Sequence, residues 1–183
     1  ADPSTVAITK SGGFVVARTA ENGVTVWRGT SREQARFGAP GAGRVTALSL
    51  SSNGRVAIAS STGAAGVWDI RSQQLLFKAP KQPAAIRSAH ISPDGAFLAT
   101  GGADGVVNVW NVATGAAVGQ FQAGRTITSV KVKHRGTRVL TATGTGRLAL
   151  RNAKTGRVVR GYGVRGFDVR QIALSRDGIP SIV

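Results

Sequence analysis

The chain has 183 residues and is 42% hydrophobic, enough to bury one large core or two small ones. It has no Cys, which excludes disulfide frameworks and thiolate metal sites, and no apolar run is long enough to span a membrane as a helix. Lys and Arg number 24 against 8 Asp and Glu, and the net charge of +16 favours polyanions or acidic protein faces as partners.

The chain opens on Ala1-Asp2-Pro3 and contains no Met, which fits either a cleaved signal or an expression remnant. On the first account the protein is expected to be exported or periplasmic, and otherwise cytoplasmic. From about Ser4 onward, short runs of Val, Ile, Leu and Ala alternate with glycine-bearing turns, and helix signals are weak throughout. The first cycle of this alternation covers about residues 4–39 and the second 45–79.

The third cycle, 86–122, shows the internal order most clearly. Residues 86–92 read as a strand, closed by the turn Ser92-Pro93-Asp94-Gly95. A second strand covers 96–100, a third 106–111 after the turn at 101–105, and a fourth 116–122. The fourth cycle repeats the order with strands at 127–133, 137–142, 147–151 and 157–162. A fifth begins at 169–175, turns at Arg176-Asp177-Gly178, and ends on 179–183, a run interrupted by Pro180.

Two markers keep one period through these cycles. A turn glycine recurs at Gly13, Gly54, Gly95, Gly136 and Gly178, at intervals of 41, 41, 41 and 42 residues. An apolar anchor recurs at Trp27, Trp68, Trp110 and Leu150, at intervals of 41, 42 and 40. Four antiparallel strands in about 40 residues make one propeller blade, and blades must stack because a lone sheet leaves both faces wet. The predicted fold is therefore all-β, a β-propeller of four-stranded antiparallel blades, with four full blades and part of a fifth. Trp27, Trp68 and Trp110 are read as blade-to-blade packing residues, and Gly54, Gly95 and Gly136 as structural turn residues.

Ser92-Pro93-Asp94-Gly95 through Trp110-Asn111, with Thr100, Asp104 and Gly105 between, resembles the WD40 (WD-repeat) β-propeller family in its bacterial style, and Trp68-Asp69 is a literal Trp-Asp pair. The resemblance implies a non-catalytic scaffold for protein–protein interaction within a larger assembly. It also implies a buried tetrad in which a His joins a Ser or Thr, an Asp and the Trp. The positions for that His fall near Gly41, Gln82, Ala123 and Arg165, and none is His. Thr100, Asp104 and Trp110 remain in blade three, so the complete network is expected in no blade and each blade is expected to be weaker for it. Propellers of this family usually close with about seven blades. Four and a half leave the ring open, so we expect the chain to be part of a longer one, or to need an additional chain or subunit to close the ring.

No grouping of residues suggests catalysis, a cofactor or a metal site. His90 and His134 belong to different cycles, and Asp94, Asp104 and Asp177 each sit in a turn beside a following Gly. Charge is the informative feature. Residues 122–167 carry eleven cations and no carboxylate, while the remaining chain has a net charge of only +5. The candidate binding residues are Arg125, Arg135, Arg138, Arg147, Arg151, Lys154, Arg157, Arg160 and Arg165. Of these, Arg135, Arg138, Arg151, Lys154 and Arg157 are expected on the rim formed by the first and third turns of blade four. Arg125, Arg147 and Arg165 are expected on the opposite rim with Arg44, Lys78 and Lys81. The eight arginines and three lysines of this stretch suit recognition of carboxylate or phosphate. The expected partner is a protein with an acidic surface; the alternative is electrostatic binding of RNA, DNA, anionic lipid or an acidic polysaccharide.

Overall fold

Glycine-bearing turns cut the apolar runs to strand length, and the β-branched residues between them suit a sheet covered on both faces. The computed structural model describes residues 6–8, 13–19, 23–29, 33–163, 172–174 and 180–182. The first sheet comprises β1 (Val6–Ile8), β2 (Phe14–Arg18), β3 (Val24–Arg28) and β4 (Glu33–Phe37). The second comprises β5 (Val45–Leu50), β6 (Arg55–Ser60), β7 (Ala65–Asp69) and β8 (Leu75–Lys78). The third holds β9 (Ile86–Ile91), β10 (Phe97–Gly102), β11 (Val106–Asn111) and β12 (Ala117–Gln122). The fourth holds β13 (Ile127–Val132), β14 (Arg138–Thr143), β15 (Arg147–Asn152) and β16 (Val158–Gly163).

Each sheet is an antiparallel meander in chain order, and β17 (Ile172–Leu174) pairs with β18 (Pro180–Ile182) as the start of a fifth. These are the propeller blades that the repeat predicts. Among the described residues the sheets do not close into a ring. The turn at Gly178 and the candidate Arg165 lie outside the described residues.

The apolar cores lie between blades. Val16, Val24, Val26 and Phe37 of the first meet Val45, Val56 and Ile58 of the second in one buried cluster. Ala57, Val67 and Phe77 of the second meet Ile86, Ile91, Leu98 and Trp110 of the third in the next. Ala99, Val107 and Val109 meet Val130, Val132 and Val139, and Ile172 of the fifth blade lies against Leu140 and Leu148. The second strand of each complete central blade is accordingly buried on both faces, whereas β12 and β16 on the outside are largely exposed.

First strands of neighbouring blades run side by side and are tied by hydrogen bonds. The Ile91 N–H donates to Ser49 Oγ at 3.1 Å, the Val130 N–H to Ser88 Oγ at 3.1 Å, and the Val132 N–H to His90 Nδ1 at 3.2 Å. The glycine marker has a second cause in the same contacts. Gly95 and Gly136 have φ of 71° and 62°, and a Cβ on either would strike the preceding blade, at Arg55 or at the Phe97 ring. Positive φ and close approach together restrict those positions to glycine.

The anchor position needs a correction in blade four. Trp68 pairs with Leu75 and Trp110 with Ala117, each just past a bulge in the ladder. In blade four the residue just past that bulge is Arg151, which pairs with Val158. Leu150, predicted as the fourth anchor, lies one residue earlier, where it pairs with Arg160. Because strand residues alternate faces, that one-residue difference exchanges an apolar anchor for a guanidinium.

Candidate binding surface on blade four

The first and third turns of a blade lie together. In blade three the Val112 N–H donates to the Ala96 carbonyl, and in blade four the Ala153 N–H donates to the Thr137 carbonyl. The third turn is capped alike in blades two, three and four. Asp69 Oδ1 accepts the N–H groups of Arg71 and Ser72, Asn111 Oδ1 those of Ala113 and Thr114, and Asn152 Oδ1 those of Lys154 and Thr155. The Ser72 N–H, followed by the Arg71 N–H and Ser72 hydroxyl, favours ionised Asp69 and holds its pKa below the ordinary value.

The first turn differs between blades. In blade three Ser92 Oγ bonds Asp94 Oδ1 and accepts the Phe97 N–H at 2.9 Å, while Asp94 Oδ1 accepts the Ala96 N–H at 3.1 Å. In blade two Ser51 and Asn53 pair in the same way, and Ser51 Oγ accepts the Arg55 N–H at 2.9 Å. Blade four places Lys133 and Arg135 at these two positions, and neither side chain can accept a hydrogen bond. The turn closes through its backbone, with the Gly136 N–H donating to the Lys133 carbonyl, and Arg135 has φ of 68°. A non-glycine residue in that conformation is strained.

The nine sequence candidates separate into several places. Arg135, Arg138, Lys154 and Arg157 belong to the two adjoining turns of blade four; Arg135, Lys154 and Arg157 are exposed and Arg138 is half-buried. Arg125 and Arg147 are exposed on the opposite rim, before β13 and at the start of β15. Arg160 lies on the outer strand β16, its guanidinium 5.4 Å from the centre of the Tyr162 ring. Arg165 lies outside the described residues.

Arg151 leaves the set of rim cations. Its guanidinium lies 6.0 Å from the Phe121 ring centre of blade three, in the role that Trp110 takes against Phe77 and Trp68 against Phe37, each pair at 6.2 Å. It donates through Nε to Thr141 Oγ1 at 3.2 Å, through Nη1 to the Gly156 carbonyl at 3.0 Å, and through Nη2 to the Ala123 carbonyl at 3.1 Å. Desolvation by burial, with repulsion from Arg147 second, lowers its pKa from the ordinary value. Arg151 thus joins blades three and four where the sequence suggests an outward-facing charge.

Blade three also carries a polar network of a different make-up from the expected tetrad. Gln82, at the position expected for His, donates through Nε2 to Thr100 Oγ1 at 2.9 Å and accepts through Oε1 from Asn108 Nδ2 at 3.1 Å. All three side chains are buried. Asp104 takes no part: its carboxylate accepts the Val106 N–H in an exposed turn at 3.1 Å. Trp110 belongs to the apolar contact with Phe77. The family pattern directs attention to His and Asp, so Gln82 and Asn108 escape it, although an amide at the His position is the signal that was available.

His90 is a half-buried titratable group at this blade boundary. Desolvation, with the Lys131 charge as the smaller cause, puts its pKa well below the ordinary 6.5. Lys131 occupies in β13 the register of His90 in β9, and burial lowers its own pKa. Among the described residues no cluster of three or more His, Cys, Asp or Glu could hold a metal ion, and no helix is long and apolar enough to cross a membrane.

Stacked four-stranded blades with short turns exposed at both ends define a β-propeller repeat protein. Residues 72–111 match the family described as WD domain, G-beta repeat. The matched stretch runs from just before β8 of blade two through β11 of blade three, so it includes both Phe77 and Trp110 and all three members of the Gln82 network. A search of curated proteins finds no match. WD40 repeats serve generally as scaffolds for protein interaction, usually without catalysis.

Proposed function

We propose that this chain is a non-catalytic scaffold that holds an acidic protein surface on the blade-four rim made by Arg135, Arg138, Lys154 and Arg157. The observation carrying this reading is the first turn of blade four. At the two positions where blades two and three have side chains that cap the turn, blade four has Lys133 and Arg135, and Arg135 adopts a strained backbone. On this reading the turn forgoes its side-chain caps in exchange for exposed positive charge. Arginine's planar fork suits carboxylates in pairs, and a rim of this kind steers an acidic partner at long range.

Co-purification with wild-type chain as bait, set against Arg135→Ala/Lys154→Ala/Arg157→Ala, tests the reading. One stoichiometric protein that is lost with the triple variant supports it. The competing outcome is retention on heparin and duplex RNA that falls steeply with salt and with the same variant, while no stoichiometric protein is recovered. That result overturns the acidic-protein reading in favour of a phosphate-backbone binder.

A further inference from the structure

The same rim carries a concave feature between blades one and two. A cleft of about 390 Å³ is lined by Gly13, Phe14, Arg28, Ser52, Gly54 and Arg71, with Asn53 beside them. Arg28 and Arg71 are both exposed. Asp69, the carboxylate of that turn, accepts three hydrogen bonds from Arg71 and Ser72.

The repeat shows that Arg28 is out of pattern. Strand pairing aligns Arg28 opposite Phe14 with Asp69 opposite Arg55, Asn111 opposite Phe97 and Asn152 opposite Arg138. In the other three blades this position carries an oxygen that caps the third turn, a role a guanidinium cannot fill. The corresponding junctions are also filled. Arg55 lies across Gly95 and donates to its carbonyl at 2.8 Å, and the Phe97 ring lies on Gly136. At the first junction the Phe14 ring lies 3.7 Å from where a Gly54 Cβ would be, and among the described residues a cleft remains beside it.

We infer that this cleft is a binding site for a phosphate monoester of a small molecule, held between Arg28 and Arg71 with its organic part toward Phe14. Two guanidiniums match a phosphate, with a charge of about −1.5 to −2 at neutral pH, better than a single carboxylate. Ser52 lies on the same wall and supplies a hydroxyl donor. The site is separate from the blade-four rim and requires none of its residues.

Titration calorimetry of the 183-residue chain with phenyl phosphate and with inorganic phosphate, at constant ionic strength in chloride, tests the inference. One saturable site is expected, with phenyl phosphate the tighter ligand. Arg28→Asn and Arg71→Gln should each weaken it at least about tenfold, as loss of a charge-assisted hydrogen bond implies. Arg28→Asn returns the residue type of the other blades, so its urea midpoint should not fall and lost binding cannot be ascribed to unfolding. The triple variant Arg135→Ala/Lys154→Ala/Arg157→Ala should bind phosphate as wild type does. Absence of saturable binding, binding indifferent to both cleft variants, or binding lost in the blade-four variant would each overturn the proposal.

Discussion

Blades three and four share one strand register and differ in where their polar side chains face. Blade three turns them inward and onto itself: Gln82, Thr100 and Asn108 satisfy one another in the core, and Ser92 with Asp94 closes its first turn. Blade four places cations at the corresponding turn positions and brings one of its arginines inside as a staple to its neighbour. An apolar anchor and a guanidinium can therefore serve one architectural purpose, because both present a flat face to the Phe of the preceding blade. What differs is the hydrogen bonding. Trp110 adds buried apolar area, while Arg151 satisfies two carbonyls and a hydroxyl.

The largest expected effect comes from removing those staples. Trp110→Ala should cost about 3–5 kcal/mol in urea unfolding, the range for a large buried aromatic. Arg151→Ala should cost about 2–3 kcal/mol through lost charge-assisted hydrogen bonds, and Arg151→Trp should recover most of that by restoring the blade-three contact. Partner affinity measured on the folded protein should follow neither change. An Arg151→Trp chain that is fully stable but loses its partner would return Arg151 to the binding set.

Next in size are the turn glycines. Gly136→Ala must place a Cβ 2.4 Å from the Phe97 ring at φ of 62°, and should cost about 3 kcal/mol. Gly144, in the second turn of the same blade, has no atom nearer than 4.0 Å to such a Cβ, so Gly144→Ala should stay within about 0.5 kcal/mol. Equal costs at the two positions would mean that inter-blade approach is not what selects glycine.

The boundary between the two blades should also sense pH. His90 is held neutral, accepting the Val132 N–H, and its folded-state pKa lies well below its unfolded value near 6.5. Between those two values the unfolded chain binds more protons, so stability is full above about pH 6.5 and falls as pH drops below it. Unfolding midpoints taken from pH 7.5 to 5 should show this fall, and His90→Gln, which keeps an acceptor without titrating near 6.5, should flatten it. A wild-type profile level through that range would show that His90 protonates without penalty.

Much of the fold was legible because backbone geometry imposed it. Gly95 and Gly136 recur at a fixed interval since φ and the neighbouring blade allow little else there, and the strands between them follow from turn chemistry. Arg151 was not legible for an opposite reason: the anchor is defined by a flat contact surface, and a search for apolar residues selects Leu150 beside it. Gln82 was hidden because amides can stand in for the expected His in a hydrogen-bond network whose geometry no sequence displays. Composition located the charge on blade four, but a count of cations cannot distinguish Arg135 on the rim from Arg147 on the other side or Arg151 between sheets.

The smallest effect on stability is the sharpest test of what separates the two blades. Lys133→Ser with Arg135→Asp gives blade four the capping pair of blade three. Ser at 133 can accept the Arg138 N–H as Ser92 accepts that of Phe97, and Asp at 135 can accept the Thr137 N–H as Asp94 accepts that of Ala96. Asp also tolerates the left-handed conformation better than Arg, should the turn retain it. The double change should therefore stabilise the chain by about 0.5–1 kcal/mol, the scale of a turn or helix cap. It also lowers the rim charge by three, so affinity for an acidic partner should fall even as the urea midpoint rises. Opposite movement of the two measurements is the signature of a turn shaped by binding at some expense to stability. If the midpoint falls, the backbone-closed turn is the better fold for this blade, and the strain at Arg135 has no functional meaning.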